Sequence, residues 1–405
     1  MKNASKAIRN IALTALVIFV MAACDTGSSP AGVHEHSYSA VWLYNETQHW
    51  HACSCGDKKD TASHSGSPCI ICGYGYETGD DTEPTDASYF VFDKPTGTIT
   101  GYLNTGPKDV VIPLTIDGTS VAFVGDSAFW IKQLESVTFP DSVISIGGSA
   151  FAVNKLVSVT FGKGLKTIGA DSFLSNKLTS VTIPPGVETI GVGAFASNQI
   201  SSATIPDSVR FLSGFSSNQL ESVTIPIGVK TIGNNAFWQN KLTSVTIPSG
   251  VEIIGDWAFL ENQLISVYIP YSVISIGEMA FSGNKLQEVV VPGNVETIGR
   301  QAFANNQLDS VTIAWGVKTI GIGAFAKNNL TSVTIPDSVT SIGSLVLANN
   351  PFTKITIGAD VTLSGDSFDN YLLDTSGFDK AYNGGGKLAG TYTRPDTNSK
   401  LWARQ

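Results

Sequence analysis

Apolar positions recur along residues 134–373 in a fixed order that spells nearly the same phrase eleven times. One copy reads Leu178-Thr-Ser-Val-Thr-Ile-Pro-Pro-Gly-Val-Glu-Thr-Ile-Gly-Val-Gly-Ala-Phe195-Ala-Ser-Asn198-Gln. Copies open at Leu134, Leu156, Leu178, Ile200, Leu220, Leu242, Leu264, Leu286, Leu308, Leu330 and Phe352, 22 residues apart except for a 20-residue step from Ile200 to Leu220. A fixed period of this length predicts a solenoid. Leu178, Val181 and Ile183 predict a short strand, with Ser180 and Thr182 facing the other way. Pro184 has no amide hydrogen and ends it. Val187 and Ile190 are the next inward pair, Gly191 permits a tight bend, and Ala194 and Phe195 pack a small and a large side chain under the convex side. Seven of the 22 positions are then core. One copy cannot bury them alone. Stacking can, at roughly 25 cal/mol per Å² of apolar area.

One polar position is as regular as the apolar ones. Asn154, Asn176, Asn198, Asn218, Asn240, Asn262, Asn284, Asn306, Asn328 and Asn350 each stand two residues before an opening apolar residue. An amide side chain both donates and accepts, so these residues predict an inward ladder that satisfies backbone groups between coils. The phrase Leu-x-Ser-Val-Thr-Ile-Pro-x-x-Val-x-x-Ile-Gly-x-x-Ala-Phe-x-x-Asn resembles the BspA-like, or Treponema pallidum-type, leucine-rich repeat. The likeness covers about residues 89–405, and the spacing is one residue shorter than the family's commoner 23. The resemblance implies a mostly β, right-handed leucine-rich-repeat solenoid on a bacterial surface protein. Its implied partners are host extracellular-matrix or cell-surface proteins, or other bacterial surface proteins.

The chain begins with Lys2, Lys6 and Arg9, then an apolar run from Ile11 to Val20, then Met21-Ala-Ala-Cys24. The run is too short to span a bilayer, which needs about 20 residues. The pattern resembles a lipoprotein signal peptide over 1–23, with Cys24 as the lipidated residue. Residues 24–33 read as a flexible tether, and the address as the cell envelope, at its outer surface. The net charge of −9 disfavours nucleic acid and anionic bilayers as partners.

All five histidines and four of the five cysteines fall within residues 34–76. Cys53 and Cys55, then Cys69 and Cys72, form two pairs, each followed by glycine. Two thiolate pairs with a turn-permitting glycine suit a structural zinc ribbon, in which His51 or His64 could replace a thiolate. Two disulfides are the alternative outside the cytoplasm, and a redox or catalytic metal site is a third. A module of this size needs a metal or crosslinks to hold a core. Residues 77–88 read as an acidic linker, 89–133 as an N-terminal cap and 374–405 as a C-terminal cap.

The array itself has no histidine and no cysteine. Triads built on Ser-His-Asp or Cys-His are therefore impossible within it, and the sequence predicts no enzyme and no catalytic cofactor. A binding role must sit on a surface. The outward strand column is Thr in most copies, but Tyr268 and Val290 interrupt it on neighbouring coils. Tyr271 and Trp315 stand just past the strand ends. These four residues predict one exposed ligand patch. Trp130, Trp238 and Trp257 flank the Ala-Phe position and read as plugs for packing gaps. The short copy from Ile200 to Gln219 predicts a change of curvature or a notch. The function expected is a non-catalytic adhesin. A glycan-binding or cell-envelope scaffold is the alternative, because hydroxyl columns beside aromatics also suit sugars.

Overall fold

The computed structural model describes the backbone of three strands between residues 38 and 63, and residues 83–351, 353–364, 377–397 and 399–405. The chain divides into two units, Met1–Glu83 and Pro84–Gln405. In the first, Tyr38–Tyr44, Gln48–Cys53 and Lys58–Ser63 form an antiparallel sheet in chain order.

The second unit is a solenoid with two strand positions per coil. The Ser-Val-Thr segment supplies the first. Ser136–Thr138 pairs in parallel with Ser158–Thr160, and Glu288–Val291 with Ser310–Ile313, each residue facing its counterpart one copy on. The second position, expected only as an inward apolar pair, carries the longer sheet. Segments such as Ser145–Ile146, Thr167–Ile168 and Thr189–Ile190 join into 14 strands, most of them two residues long. The glycine after each isoleucine explains this. A Cβ on Gly169 would lie 2.7 Å from the carbonyl carbon of Gly147, so its absence lets one backbone rest on the next.

Inside each coil the seven apolar positions close the core. Leu178, Val187, Ile190, Ala194 and Phe195 are fully buried, and Val181 and Ile183 nearly so. Identical residues at identical places stack. Rings from Phe129 through Phe325 follow one another at 4.5–6.0 Å and within 19° of parallel. That spacing lies within the favourable range for aromatic pairs.

The asparagine column ties each coil to the one before it. Asn198 Oδ1 accepts the Leu178 amide at 3.0 Å, and its Nδ2 donates to the Phe173 and Phe195 carbonyls, each at 3.0 Å. The same acceptor bond recurs from Asn154 to Asn350. All ten side chains are buried, so their polar atoms serve the backbone.

Most coils take left-handed backbone geometry at two non-glycine positions, for example Trp257 and Glu261, or Gln301 and Asn305. Such a residue costs about 1–2 kcal/mol. Bonds to the next coil offset it: the amides of Trp257, Phe259 and Glu261 donate to the carbonyls of Glu278, Ala280 and Ser282 at 2.8, 2.8 and 3.0 Å. This geometry also corrects the reading of the tryptophans as plugs. Trp130 and Trp257 project from the outer turn and are exposed. Only Trp238 is half-buried.

The short copy lacks two outer-turn residues but keeps the ladder and the left-handed Ser217. Phe215 stays in the ring column, and Asn218 still accepts the Ile200 amide at 2.9 Å. Gly214, at φ +127°, stands where most copies carry alanine, and Ser213 Oγ donates to the Asn234 carbonyl at 2.7 Å.

Antiparallel strands cover both ends: Phe90–Asp93 on Thr98–Tyr102, and Gly390–Thr393 on Lys354–Ile357. A helix, Gly377–Gly384, adds buried Phe378 and Tyr382 to the last coil. At the first end Tyr102 heads the ring column, 5.1 Å from Phe129, and its hydroxyl donates to the Pro107 carbonyl at 3.0 Å. Burial, with Tyr89 nearby, pushes the Tyr102 phenol up to about 12. Folding therefore favours the neutral phenol. This contribution is complete below pH 10, the ordinary value, and is lost as pH rises from there through about 12. Alkaline titration followed by amide exchange should loosen residues 89–133 above pH 10, and Tyr102→Phe should abolish that phenol-linked step. An identical alkaline profile in the variant would refute it.

Candidate functional site

The strand face that predicts binding is largely a plain of Ser and Thr side chains. Thr160, Thr182, Thr204, Thr224, Thr246, Thr312 and Thr334 are exposed along one column. Large apolar side chains break it where the sequence indicates. Tyr268 is 75% exposed, Val290 58%, Tyr271 66% and Trp315 74%. The repeat register puts Tyr268 and Val290 in the same column on consecutive coils.

Tyr271 and Trp315 occupy the corner just past the strand, two coils apart. Gly293 occupies that corner on the coil between them. At about 4.8 Å per coil the two aromatic positions stand roughly 10 Å apart. Three contacts fix this corner. Asn294 Nδ2 donates to the Tyr271 carbonyl at 2.7 Å. A Cβ on Gly293 would collide with the Trp315 carbonyl, so glycine permits the close approach of those backbones. Lys318 Nζ lies 5.5 Å from the centre of the Trp315 ring, within cation–π reach.

Round the corner lies a shallow cavity of about 360 Å³, lined by Ile274, Ser275, Asn294, Glu296 and Thr297. Asn294 belongs both to this cavity and to the Tyr271 clamp. Two exposed carboxylates flank the aromatics: Glu288, two residues before Val290, and Glu296. Neither has an ion-pair partner among the described residues, whereas Glu252 pairs with Lys230 at 3.2 Å and Glu278 with Arg300 at 3.5 Å. The sequence reading singled out the four apolar residues but not Gly293, Asn294, Glu288 or Glu296. A glycine between two aromatics in a 22-residue register was the available signal.

Of the expected metal ligands, Cys53 and alternate His51 fall on the strand Gln48–Cys53. Cys55, Cys69, Cys72 and alternate His64 lie outside the described residues, as does the lipidation residue Cys24. Among the described residues no three His, Cys, Asp or Glu side chains gather as a metal site.

A coil with one Asn ladder, one Phe column and two parallel strand positions defines a leucine-rich-repeat protein. The chain belongs to the BspA type leucine rich repeat family, whose model matches residues 111–214, 212–328 and 297–374. It is similar to the crystal structure of the pneumococcal vaccine antigen PcpA, at 24% identity over 67% of this chain and 81% of that one, with a TM-score of 0.47. A leucine rich cell surface protein from Faecalibacterium prausnitzii is 24% identical over 76% of this chain and 99% of its own, with a TM-score of 0.43. The T. pallidum leucine rich repeat protein TpLRR is 23% identical over 55% of this chain and 88% of its own, with a TM-score of 0.28. No curated protein is significantly similar. The family assignment rests on the repeat itself and not on these superpositions.

Proposed function

We propose that the array is a non-catalytic binding platform that captures a partner protein through the surface around Tyr268, Tyr271, Val290 and Trp315, as an adhesin does. One observation carries this reading: Tyr268, Tyr271, Val290 and Trp315, each more than half exposed, fall on three consecutive coils, where Tyr268 and Val290 break a column that is otherwise mostly threonine. Tyrosine and tryptophan dominate binding hot spots, whereas the exposed apolar residues elsewhere on the array, such as Val157 and Ile227, are aliphatic and single. The family of repeat scaffolds supports the same role.

The reading extends to location and partner. Lipid on Cys24, after removal of the leader over residues 1–23, would tether the chain to the outer surface of the cell envelope. Host matrix or cell-surface proteins, or other bacterial surface proteins, would then be within reach. Structural zinc on Cys53, Cys55, Cys69 and Cys72 belongs to this proposal, and metal content against thiol titration tests it.

The full chain should bind saturably to at least one of a panel of matrix proteins and epithelial cells. Tyr268→Ala/Trp315→Ala should weaken that binding by about 2 kcal/mol, roughly 30-fold. Thermal unfolding should hardly change, since both side chains are exposed. Equal binding by both proteins would remove the patch from the mechanism. Binding abolished by free sugars would transfer the patch to the glycan-binding alternative.

A further inference from the structure

We infer that the corner slot between Tyr271 and Trp315 receives an arginine side chain of the partner protein, with Glu296 as the carboxylate that meets it. The inference rests on the patch being the binding surface and names the chemistry that the patch selects.

The slot has two aromatic walls and a floor without a side chain. Stacking a planar group between two rings needs roughly 7–8 Å between ring planes, two contact distances of about 3.5–4.0 Å. Corner positions roughly 10 Å apart reach that separation when the rings lean inward. Gly293 leaves the middle coil empty at this corner. The Asn294 bond to the Tyr271 carbonyl and the close approach of the Gly293 and Trp315 backbones hold the two backbone positions that carry the walls.

The charge around the slot selects what enters. Glu296 lines the cavity that begins at Asn294, and Glu288 lies on the strand side. Both are exposed and unpaired among the described residues. The nearest cation in the Glu296 column is Lys318, one coil on. It lies over the Trp315 ring instead of making an ion pair with Glu296. Two aromatic faces beside an uncompensated carboxylate complement a flat cation. Guanidinium is planar, weakly hydrated, stacks on aromatic faces and grips a carboxylate through two parallel hydrogen bonds. An ammonium group is compact and strongly hydrated and gains less from the walls. A neutral urea of the same shape can stack and donate to Glu296 but brings no charge to the carboxylate.

The test uses the full chain and three small probes: the amides of N-acetylarginine, N-acetyllysine and N-acetylcitrulline. The readout is the Trp315 indole resonance, assigned with Trp315→Phe. The arginine probe should shift it saturably, lysine about threefold more weakly, and citrulline about fivefold more weakly. Glu296→Gln should weaken the arginine probe about fivefold, while Glu252→Gln, on a residue already paired with Lys230, should leave it unchanged. Citrulline binding as well as arginine, an unaffected Glu296→Gln protein, or a shift by N-acetylglucosamine in place of arginine would each overturn the inference. If the partner panel still responds to Tyr268→Ala/Trp315→Ala while the arginine probe fails, the platform stands and only its arginine preference falls.

Discussion

Asn262→Ala is expected to lower the unfolding free energy of the array by about 3 kcal/mol. The bonds around Asn262 show where the loss arises. Its Oδ1 accepts the Leu242 amide at 3.1 Å, and its Nδ2 donates to the Phe237 carbonyl at 2.8 Å and the Phe259 carbonyl at 3.2 Å. The carbonyls are doubly served: Phe237 keeps Asn240, and Phe259 keeps Asn284, when Asn262 is cut. The Leu242 amide has no such reserve. It would be left buried without an acceptor, and an orphaned buried donor costs about 1–3 kcal/mol. Two lost bonds to half-served carbonyls and a small void add to it. Asn262→Asp should not rescue the protein, because it returns the acceptor but faces two carbonyl oxygens with a third oxygen. Chemical denaturation of the three proteins decides the matter. A loss below about 1 kcal/mol for the alanine variant would show that water or backbone relaxation replaces the ladder bond.

The architecture was legible because the repeat states it eleven times. The seven core positions, the Asn column and the outward Thr column all follow from alternation and period, which are local properties. What was not legible depends on how one coil lies on the next. The two-residue strands at Thr167–Ile168 and its counterparts are too short to announce themselves. Only the Gly-on-backbone contact turns them into the longer sheet. Left-handed residues such as Trp257 and Gln301 were equally hidden, because ladder bonds override their conformational preference. The short copy predicted a change of curvature or a notch; its inner ring and Asn columns run on through Phe215 and Asn218, so the two missing residues fall on the outer turn. At the candidate site the departures from consensus were visible at Tyr268, Tyr271, Val290 and Trp315. The supporting contacts were not: the Asn294 clamp, the Gly293 approach and the free carboxylate of Glu296 arise only from how neighbouring coils stack.

Phe259→Ala should cost about 4 kcal/mol and divide the array into two weakly coupled halves. The ring lies 5.6 Å from Phe237 and 5.3 Å from Phe281, nearly parallel to both. It is fully buried, so its removal leaves a cavity as well as two broken stacks. In a solenoid each coil contacts only its neighbours, and stability is a sum of coil and interface contributions. A lesion at an interior coil weakens two interfaces at once and interrupts propagation of order along the stack. Denaturation of the variant should show two transitions in place of one. Amide exchange should accelerate first at Trp257, Phe259 and Glu261, whose bonds to Glu278, Ala280 and Ser282 carry the outer turn. Leu347→Ala is the matched control: Leu347 is buried in the same column one coil beyond Phe325, near the end of the array rather than at its middle. It should lower stability by about 2–3 kcal/mol and keep a single transition. A single transition and uniform exchange in Phe259→Ala would mean that the strand ladders alone couple the coils, and that the phenylalanine column contributes volume but not cooperativity.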